Sequence, residues 1–293
     1  MNFSWQSICL TAFGIFSAAR ALELPEYAGL KTSLNNSILE VTLHNSKSLR
    51  NLWDQDTQDG LTDLVGRLQK DNETKVVIFK SDIPRYFMGH LDLTLPNLPE
   101  VVPAFSRLIY NISQLPQVTI GAVEGRARGA GNELLVSLDM RFAVKNDTLF
   151  GQPEVGSGII PGGGGSQFLP GLIGRGLAME FILSANDINA VDAEKIGWIN
   201  KAFDSSAEMY KYIDGLTARF ALFPKGGLSA GKTAINRRTT PTLEDLQGDV
   251  NLFLERIEDP IVQELTVKGS AGNEISAFEL ELNLGENILT LYQ

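Results

Sequence analysis

The chain has 293 residues, 43% hydrophobic and 20% charged, which is long enough for one large globular domain or two ordinary ones. Its formal net charge of −10 argues against nucleic acid and anionic membrane surfaces as partners, since both bind a basic protein face. We therefore expect no nucleic-acid partner.

Residues 1–21 have the pattern of a targeting segment. An apolar stretch from Ile8 to Phe16 precedes the small residues Ala19 and Ala21, as in a secretory signal with its cleavage site. The stretch is too short to cross a bilayer, so no membrane span is expected. No Lys or Arg precedes it, and two interpretations stay open. The chain enters the secretory pathway or the extracellular space if the leader is cleaved, or it stays intracellular, in the cytoplasm or an organelle.

Residues that hold metals or act as nucleophiles are scarce. Cys9 is the only cysteine and lies in the leader, so a mature chain without residues 1–21 has no disulfide, thiol nucleophile or cysteine-based metal site. His44 and His90 are the only histidines, too few for a zinc-binding histidine cluster. The sequence therefore predicts no metal site.

Strand-like and helix-like patterns alternate over residues 22–225. Apolar runs and periodicity predict strands over 37–43, 75–80, 117–123, 141–144, 148–151 and 198–202, and helices over 49–70, 102–115, 133–139, 178–183 and 190–196. After Pro224 the pattern becomes helical, over 228–238 and 243–257. No linker is long enough to separate two independent domains. We therefore expect an α/β core over 22–225 and a helical region over 226–293.

Two glutamates stand beside glycines in the middle of the chain. Glu133 lies in GAGNEL at 129–134, and Glu154 ends FGQPE at 150–154. Glycine lets main-chain N–H groups approach a ligand, and a helix that begins after such glycines presents free N–H donors to an anion. Two carboxylates beside such donors can divide the roles of acid and base. Taken singly, each glutamate fits a solvent-facing position better.

A glycine-rich segment follows, PGGGGSQFLPGLIGRG at 161–176. Its glycine content is typical of a phosphate-binding loop, but it lacks the G-K-[ST] ending of a P-loop. We therefore predict a turn that begins a helix.

Together these segments resemble the crotonase superfamily, the enoyl-CoA hydratases and isomerases. The resemblance runs from about Tyr27 to Phe203 and is strongest in AVEGRARGAGNELLVSLDMRFA at 122–143 and in the segment 149–203. It implies a crotonase-like spiral of repeated β-β-α units over 22–225, with a helical trimerisation region over 226–293. A homotrimer or hexamer is therefore expected.

The resemblance also implies a reaction. In the family the two matching glutamates face each other across an acyl-CoA thioester, which makes Glu133 and Glu154 the expected catalytic pair. The implied reaction is hydration of a 2-enoyl-CoA to a 3-hydroxyacyl-CoA, with the CoA thioester as substrate and no cofactor. A double-bond isomerase that needs only one glutamate is one alternative. The other is a secreted, non-catalytic protein that keeps the scaffold for binding or assembly.

Two backbone N–H groups form the oxyanion hole in the family, and one of them matches Ala130. The other falls in YFMGHLDL at 86–93, which aligns in two ways. Alignment on Gly89 assigns the donor to His90, whereas alignment on Asp92 and Leu93 assigns it to Leu91. Of the two, Leu91 is the preferred assignment.

The family's CoA-binding segment is matched in part by LHNSKSLRNL at 43–52. The resemblance assigns Lys47 and the main chain of Ser48 to CoA. Arg50 stands where asparagine is common, and Phe168 replaces a basic residue that usually follows the glycine loop. Fewer phosphate contacts than usual are therefore expected.

Overall fold

The computed structural model describes residues 22–269 and 273–293. The predicted leader, residues 1–21, lies outside this part of the chain. No helix in the described ranges combines the length and the apolar composition that a membrane crossing requires.

Ten strands occur in the described residues: β1 (Leu30–Asn35), β2 (Ile38–Leu43), β3 (Val76–Ser81), β4 (Tyr86–Met88), β5 (Val118–Val123), β6 (Arg126–Arg128), β7 (Met140–Val144), β8 (Leu149–Gly151), β9 (Ile188–Asn189) and β10 (Lys201–Phe203). They form a larger sheet in the spatial order β1-β2-β3-β5-β7-β10 and a smaller sheet in the order β4-β6-β8-β9. The pairs β1–β2 and β8–β9 are antiparallel, and the other pairs are parallel.

The same part of the chain contains twelve α-helices: α1 (Gln55–Leu68), α2 (Leu98–Ser113), α3 (Ala130–Ser137), α4 (Gly165–Ile173), α5 (Arg175–Ser184), α6 (Ala190–Ile196), α7 (Ser206–Leu222), α8 (Lys225–Thr239), α9 (Leu243–Ile257), α10 (Pro260–Gly269), α11 (Glu274–Leu282) and α12 (Leu284–Asn287). Two 3-10 helices cover Glu154–Ser157 and Ile288–Tyr292.

Three successive pairs of strands build the core. In the pairs β3–β4, β5–β6 and β7–β8, the first strand joins the larger sheet and the second joins the smaller one. A helix follows each pair: α2, α3 and, after the first 3-10 helix, α4. The prediction of an α/β spiral of β-β-α units with a helical C-terminal region is therefore confirmed.

The larger sheet is buried on both faces, and strand periodicity explains why its strands are continuous apolar runs. Val77 and Phe79 of β3 belong to the main core with α1, α2 and α3, whereas Val76 and Ile78 face a second core that includes Met209 of α7. Successive side chains of a strand point to opposite faces, so an uninterrupted apolar run is required here. The sheet therefore holds the ends of its strands, and the loops that follow them, in fixed positions.

Several predicted helices differ at their boundaries, and two of these differences concern the segments around the cavity. The helix predicted over 49–70 is α1, which begins at Gln55 because the Asp54 side chain accepts a hydrogen bond from the Thr57 N–H and caps it. The helix predicted over 133–139 is α3, which begins at Ala130. Glu133 consequently lies in the first turn of α3, within reach of the groups at its N-terminal end.

Candidate active site

The residues singled out from the sequence converge on one cavity of about 500 Å³. The lining includes all the predicted site residues. These are the two glutamates, the candidate oxyanion donors and the two CoA candidates: Glu133, Glu154, His90, Leu91, Ala130, Lys47 and Ser48. Phe168, the residue in place of a basic side chain, is buried and packs beside Gly164 instead. Long-range folding thus brings the predicted residues together.

Glu133 is held by the glycine-rich segment that follows the second glutamate. Its Oε1 atom accepts hydrogen bonds from the N–H of Gly163 at 2.7 Å and from the N–H of Gly165 at 3.0 Å. Burial raises the pKa of Glu133 to about 7, although these two donors oppose the rise by stabilising the carboxylate. The glycine segment predicted as a turn is therefore also the support of Glu133, a role that its sequence did not indicate.

Glu154 differs from Glu133 in having one buried carboxylate oxygen, Oε2, without a hydrogen-bond partner among the described residues. It opens the 3-10 helix after β8 and is buried. Burial raises the pKa of Glu154 well above its usual range, and the negative charge of Glu133 raises it further. Each glutamate, taken alone, is expected from the sequence to face solvent, but both are buried.

Gly129 lets the two sides of the cavity approach each other. Its φ of +49° lies in a region that L side chains rarely adopt. A Cβ atom at this position would lie 2.9 Å from Glu154 Oε1 and 2.9 Å from His90 Cβ. Glycine is therefore required here because the second glutamate and the 86–93 segment meet at its α-carbon.

The backbone around Leu91 distinguishes the two candidate donors of the 86–93 segment. Leu91 forms a parallel bridge with Trp53, in which the Trp53 N–H donates to the His90 carbonyl at 3.1 Å and the Asp92 N–H donates to the Trp53 carbonyl at 3.0 Å. In such a bridge the N–H of the central residue points away from the partner strand. This pattern favours Leu91 over His90 as the donor available to the cavity.

Ala130 is the first residue of α3, where a backbone N–H has no acceptor within the helix. The next residue, Gly131, donates its N–H to the Gly89 carbonyl at 2.9 Å. This bond ties the start of α3 to the 86–93 segment and sets the separation of the Ala130 and Leu91 N–H groups. Two backbone donors and two carboxylates thus surround one space.

The CoA candidates lie at the mouth of the cavity. The Lys47 side chain is 73% exposed and forms an ion pair with Asp56 at 2.5 Å. The Ser48 Oγ lies 3.4 Å from Glu274 Oε1. Lys47 is therefore accessible to a ligand entering from solvent, whereas Ser48 lines the cavity as a buried residue.

The sequence interpretation missed the contribution of α11 to the cavity. Glu274 and Glu281 line it, and Arg50 contacts both, with 2.9 Å between Nη2 and Glu274 Oε2 and 2.6 Å between Nη1 and Glu281 Oε1. A signal was present, since Glu274, Ala277 and Glu281 are spaced i, i+3, i+7 and share one helix face. That face covers the cavity.

The wall beside Glu133 is apolar. It is formed by side chains of α2, α9, α10 and the segment after the 3-10 helix: Val102, Phe105, Phe253, Leu265 and Ile159. Within 22–269 and 273–293, no three His, Cys, Asp or Glu side chains converge as a metal-binding group. The described chemistry of the cavity is therefore that of paired carboxylates, backbone donors and an apolar wall.

Comparison with known proteins identifies relatives with the same organisation. The profile of the enoyl-CoA hydratase/isomerase family matches residues 33–268. The short-chain-enoyl-CoA hydratase of Clostridium acetobutylicum is 32% identical over 70% of this chain and 82% of its own length. The mitochondrial methylglutaconyl-CoA hydratase of Mus musculus is 34% identical over 60% of this chain, and the match spans 59% of that protein.

A solved structure extends the similarity to the fold. The crystal structure of a Streptomyces avermitilis protein assigned to the enoyl-CoA hydratases superposes with a TM-score of 0.82 at 34% identity. The match covers 91% of this chain and 98% of that chain. The structural match therefore extends over nearly the whole length of both chains.

Proposed function

Since the chain belongs to the enoyl-CoA hydratase/isomerase family, we propose that it adds water to a 2-enoyl-CoA thioester and forms a 3-hydroxyacyl-CoA. One observation carries this proposal: two buried carboxylates, Glu133 and Glu154, share a cavity with the backbone donors Leu91 and Ala130. Hydration needs one group to activate water, one to deliver a proton and donors for the charge that develops on the thioester oxygen.

The environments of the two glutamates support different roles. Glu133 accepts two N–H hydrogen bonds, which stabilise its carboxylate, so we assign it as the base that activates water for attack at C3. Glu154 lacks such donors at Oε2, and its pKa is raised well above the usual range, so it holds a proton readily. We therefore assign it as the acid that protonates C2. Because the pair is electrostatically linked, its two titration steps belong to both residues together.

The backbone donors have a distinct task. When water attacks C3, negative charge moves to the thioester oxygen as an enolate forms. The N–H groups of Leu91 and Ala130 would donate to that oxygen, and the N-terminal end of α3 adds the positive end of a helix dipole. The reaction proposed here takes the CoA thioester as its substrate and needs no cofactor.

We assign CoA to the mouth of the cavity, with Lys47 and the main chain of Ser48 as its contacts. Lys47 would exchange Asp56 for a phosphate. This exchange costs little free energy, because the ion pair is exposed to solvent.

The apolar wall supports a preference for acyl chains without a free carboxylate. The basic side chains of the cavity lining are Lys47, Arg50 and His90, and Arg50 is already paired with Glu274 and Glu281. A methylglutaconyl thioester carries a carboxylate that would face the wall of Val102 and Phe105 without a cation, which is unfavourable. The preferred substrate is therefore a simple short-chain or medium-chain enoyl-CoA.

The decisive experiment offers the purified protein crotonyl-CoA, 2-hexenoyl-CoA, 3-methylglutaconyl-CoA and 3-hexenoyl-CoA. We expect loss of the conjugated-thioester absorbance with the first two and at least tenfold lower kcat/KM with the carboxylated substrate. No hydration of any 2-enoyl thioester would reject the hydratase proposal. Appearance of a conjugated thioester from 3-hexenoyl-CoA without hydration would favour the isomerase alternative, which needs only one of the two glutamates.

Two further proposals concern assembly and location. By resemblance, residues 226–293 mediate a homotrimer or hexamer, which sedimentation analysis tests directly. Export after cleavage of residues 1–21 would separate the protein from intracellular CoA esters and favour a non-catalytic binding role. Mass spectrometry of the protein from its native cells decides this point, since a retained Met1 excludes cleavage and glycans on the exposed Asn72 or Asn146 require export.

A further inference from the structure

His90 has a side-chain role that is separate from its position in the backbone of the 86–93 segment. Its Nδ1 atom lies 2.9 Å from the Leu91 carbonyl oxygen, and its Nε2 atom lies 2.7 Å from Glu281 Oε1. Both partners are acceptors, because a carbonyl oxygen has no proton and Glu281 is ionised. The imidazole ring thus bridges the residue that supplies an oxyanion donor and the helix that covers the cavity.

This arrangement determines the protonation state of His90. A neutral imidazole donates from only one of its two nitrogens, whereas the imidazolium ion donates from both. Burial lowers the pKa of His90, but the charge and hydrogen bond of Glu281 outweigh burial and raise it above the ordinary value. For Glu281, burial raises the pKa, yet His90 and Arg50 lower it to about 2. Geometry and charge therefore agree on an imidazolium–carboxylate pair.

Helix α11 is a firm support for this pair. Arg50 binds Glu274 near the start of α11 and Glu281 near its end. At the end of the helix the guanidinium groups of Arg126 and Arg128 donate to the carbonyls of Leu282 and Glu281. Cations at a helix C-terminus satisfy its free carbonyls and interact favourably with its dipole. Glu281 is thus held in place on the cavity wall by three arginines.

His90 is also close to the reacting groups. Gly129 separates its Cβ atom from Glu154 Oε1, each being 2.9 Å from the place a Gly129 side chain would occupy. Part of the ring faces the cavity, since 30% of the side chain is exposed. The His90 ring, the Leu91 backbone that it contacts and the Glu154 carboxylate therefore lie around one space. A shift of the ring would move the Leu91 backbone relative to Glu154.

We propose that His90 is a positioning residue for hydration: as an imidazolium held by Glu281, it fixes the Leu91 carbonyl and with it the backbone of that residue, so that the Leu91 N–H in the preceding peptide group is aimed at the thioester oxygen. The inference rests on the proposed function, because it assigns His90 a part in that reaction. Its positive charge also lies on the segment where enolate charge develops, which favours the transition state over the bound substrate.

The charged groups that face His90 come from several elements. Glu281 contacts it, Arg50 opposes its protonation, Glu274 acts through Arg50, and Glu154 lies across Gly129. Removing the Glu281 charge leaves Arg50 as a nearby cation, so the pKa of His90 falls in that variant. The Glu281→Gln variant therefore weakens the imidazolium state on which the positioning of Leu91 depends.

The kinetic test compares His90→Gln, Glu281→Gln and the double variant with His44→Gln. His44 is the matched control, because its Nδ1 lies 2.7 Å from the Asp82 carboxylate and it does not line the cavity. We expect each single change at the proposed pair to lower kcat by about tenfold or more with little change in KM, since a misaligned donor affects the transition state. The double variant is expected to have the same kcat as the single variants, because either single change already breaks the His90–Glu281 pair.

Nitrogen NMR of the two histidine rings provides a test that does not depend on turnover. In the full chain near neutral pH we expect His90 to be protonated on both nitrogens, and to lose this state in Glu281→Gln. A neutral His90 ring beside normal hydration overturns the positioning role alone, as do additive kinetic effects or a change confined to KM. Failure of the unaltered chain to hydrate any 2-enoyl thioester overturns the proposed function and the positioning role of His90 with it.

Discussion

The two sides of the cavity are built in different ways. One side consists of α3, β8 and the glycine segment, where carboxylates and backbone donors are placed by short stretches of sequence. The other side is α11, whose Glu281 reaches His90 across 191 residues through charged side chains. The comparison shows that local segments supply the groups of the proposed chemistry. Ion pairs between distant residues hold the 86–93 segment in place beside those groups.

Burial makes this difference chemically important. Glu133 and Glu154 have raised pKa values because apolar surroundings disfavour their charge, while the pKa of the equally buried Glu281 is lowered by two cations. Glu133, with a pKa of about 7, therefore titrates near neutral pH, Glu154 holds its proton more strongly than an ordinary glutamate, and Glu281 is a permanent anion. One cavity thus contains both titrating and fixed carboxylates.

The largest effect is expected when the glycine side is altered. Glu133→Gln and Glu154→Gln keep the shape of each side chain but remove its acid–base function, so each should lower kcat for crotonyl-CoA hydration on the order of a thousandfold. Their melting temperatures should not fall, because each change removes a group whose charge is disfavoured by burial. Glu255→Gln on the exposed face of α9 is the control. Near-normal rates in both site variants would contradict the assignment of roles.

A smaller effect should distinguish the donor of the 86–93 segment. Leu91→Pro removes the Leu91 N–H while leaving the two hydrogen bonds of the Trp53 bridge, which do not use that group. We expect kcat to fall by about a hundredfold, the usual effect of losing one oxyanion donor. Leu91→Ala is the matched control, because it shortens the side chain but keeps the N–H. Circular dichroism and the melting temperature establish that the proline variant is folded.

Equal losses in the proline and alanine variants would show that Leu91 contributes packing only. In that case the alignment on Gly89, with His90 as the backbone donor, would regain support.

Much of the fold was predictable from local patterns. The strands over 75–80 and 117–123 were evident because a sheet buried on both faces requires continuous apolar runs. The start of α1 was predicted six residues too early, because the apolar spacing continues through Leu52 and Trp53 before the Asp54 cap. Capping depends on one side-chain hydrogen bond, which periodicity does not record.

The site was predictable on one side only. Glu133 and Glu154 lie in segments whose glycines indicate close backbone approach, so the sequence itself directs attention to them. Glu274 and Glu281 lie in EISAFELEL, where glutamates usually indicate a solvent-facing helix surface. Glu281 is buried because it pairs with Arg50 and His90 from a distant part of the chain. Glu274 stays partly exposed and pairs with Arg50, and nothing within α11 specifies those partners.

The smallest expected effect tests the stability of the α11 side. A carboxyl whose pKa is lowered by folding stabilises the folded state above its ordinary pKa of 4.5, and this contribution is lost as the pH falls toward the folded value of about 2. From about pH 5 to about pH 3, the unaltered chain should therefore lose about 2 kcal/mol more unfolding free energy than Glu281→Gln. Urea unfolding at both pH values measures this difference.

The design of this comparison isolates Glu281. Folding raises the pKa of His90 in the unaltered chain, so there His90 is protonated in both states below pH 5 and adds no pH dependence over this interval. Nitrogen NMR of Glu281→Gln at both pH values checks the same for the variant. Glu133, Glu154 and Asp249 have raised pKa values, but they are present in both proteins and cancel in the difference. Parallel losses of stability in the two proteins would mean that Glu281 is not held as a buried anion. The ion pair with His90 would then be too weak to orient the Leu91 peptide, and the two sides of the cavity would act independently.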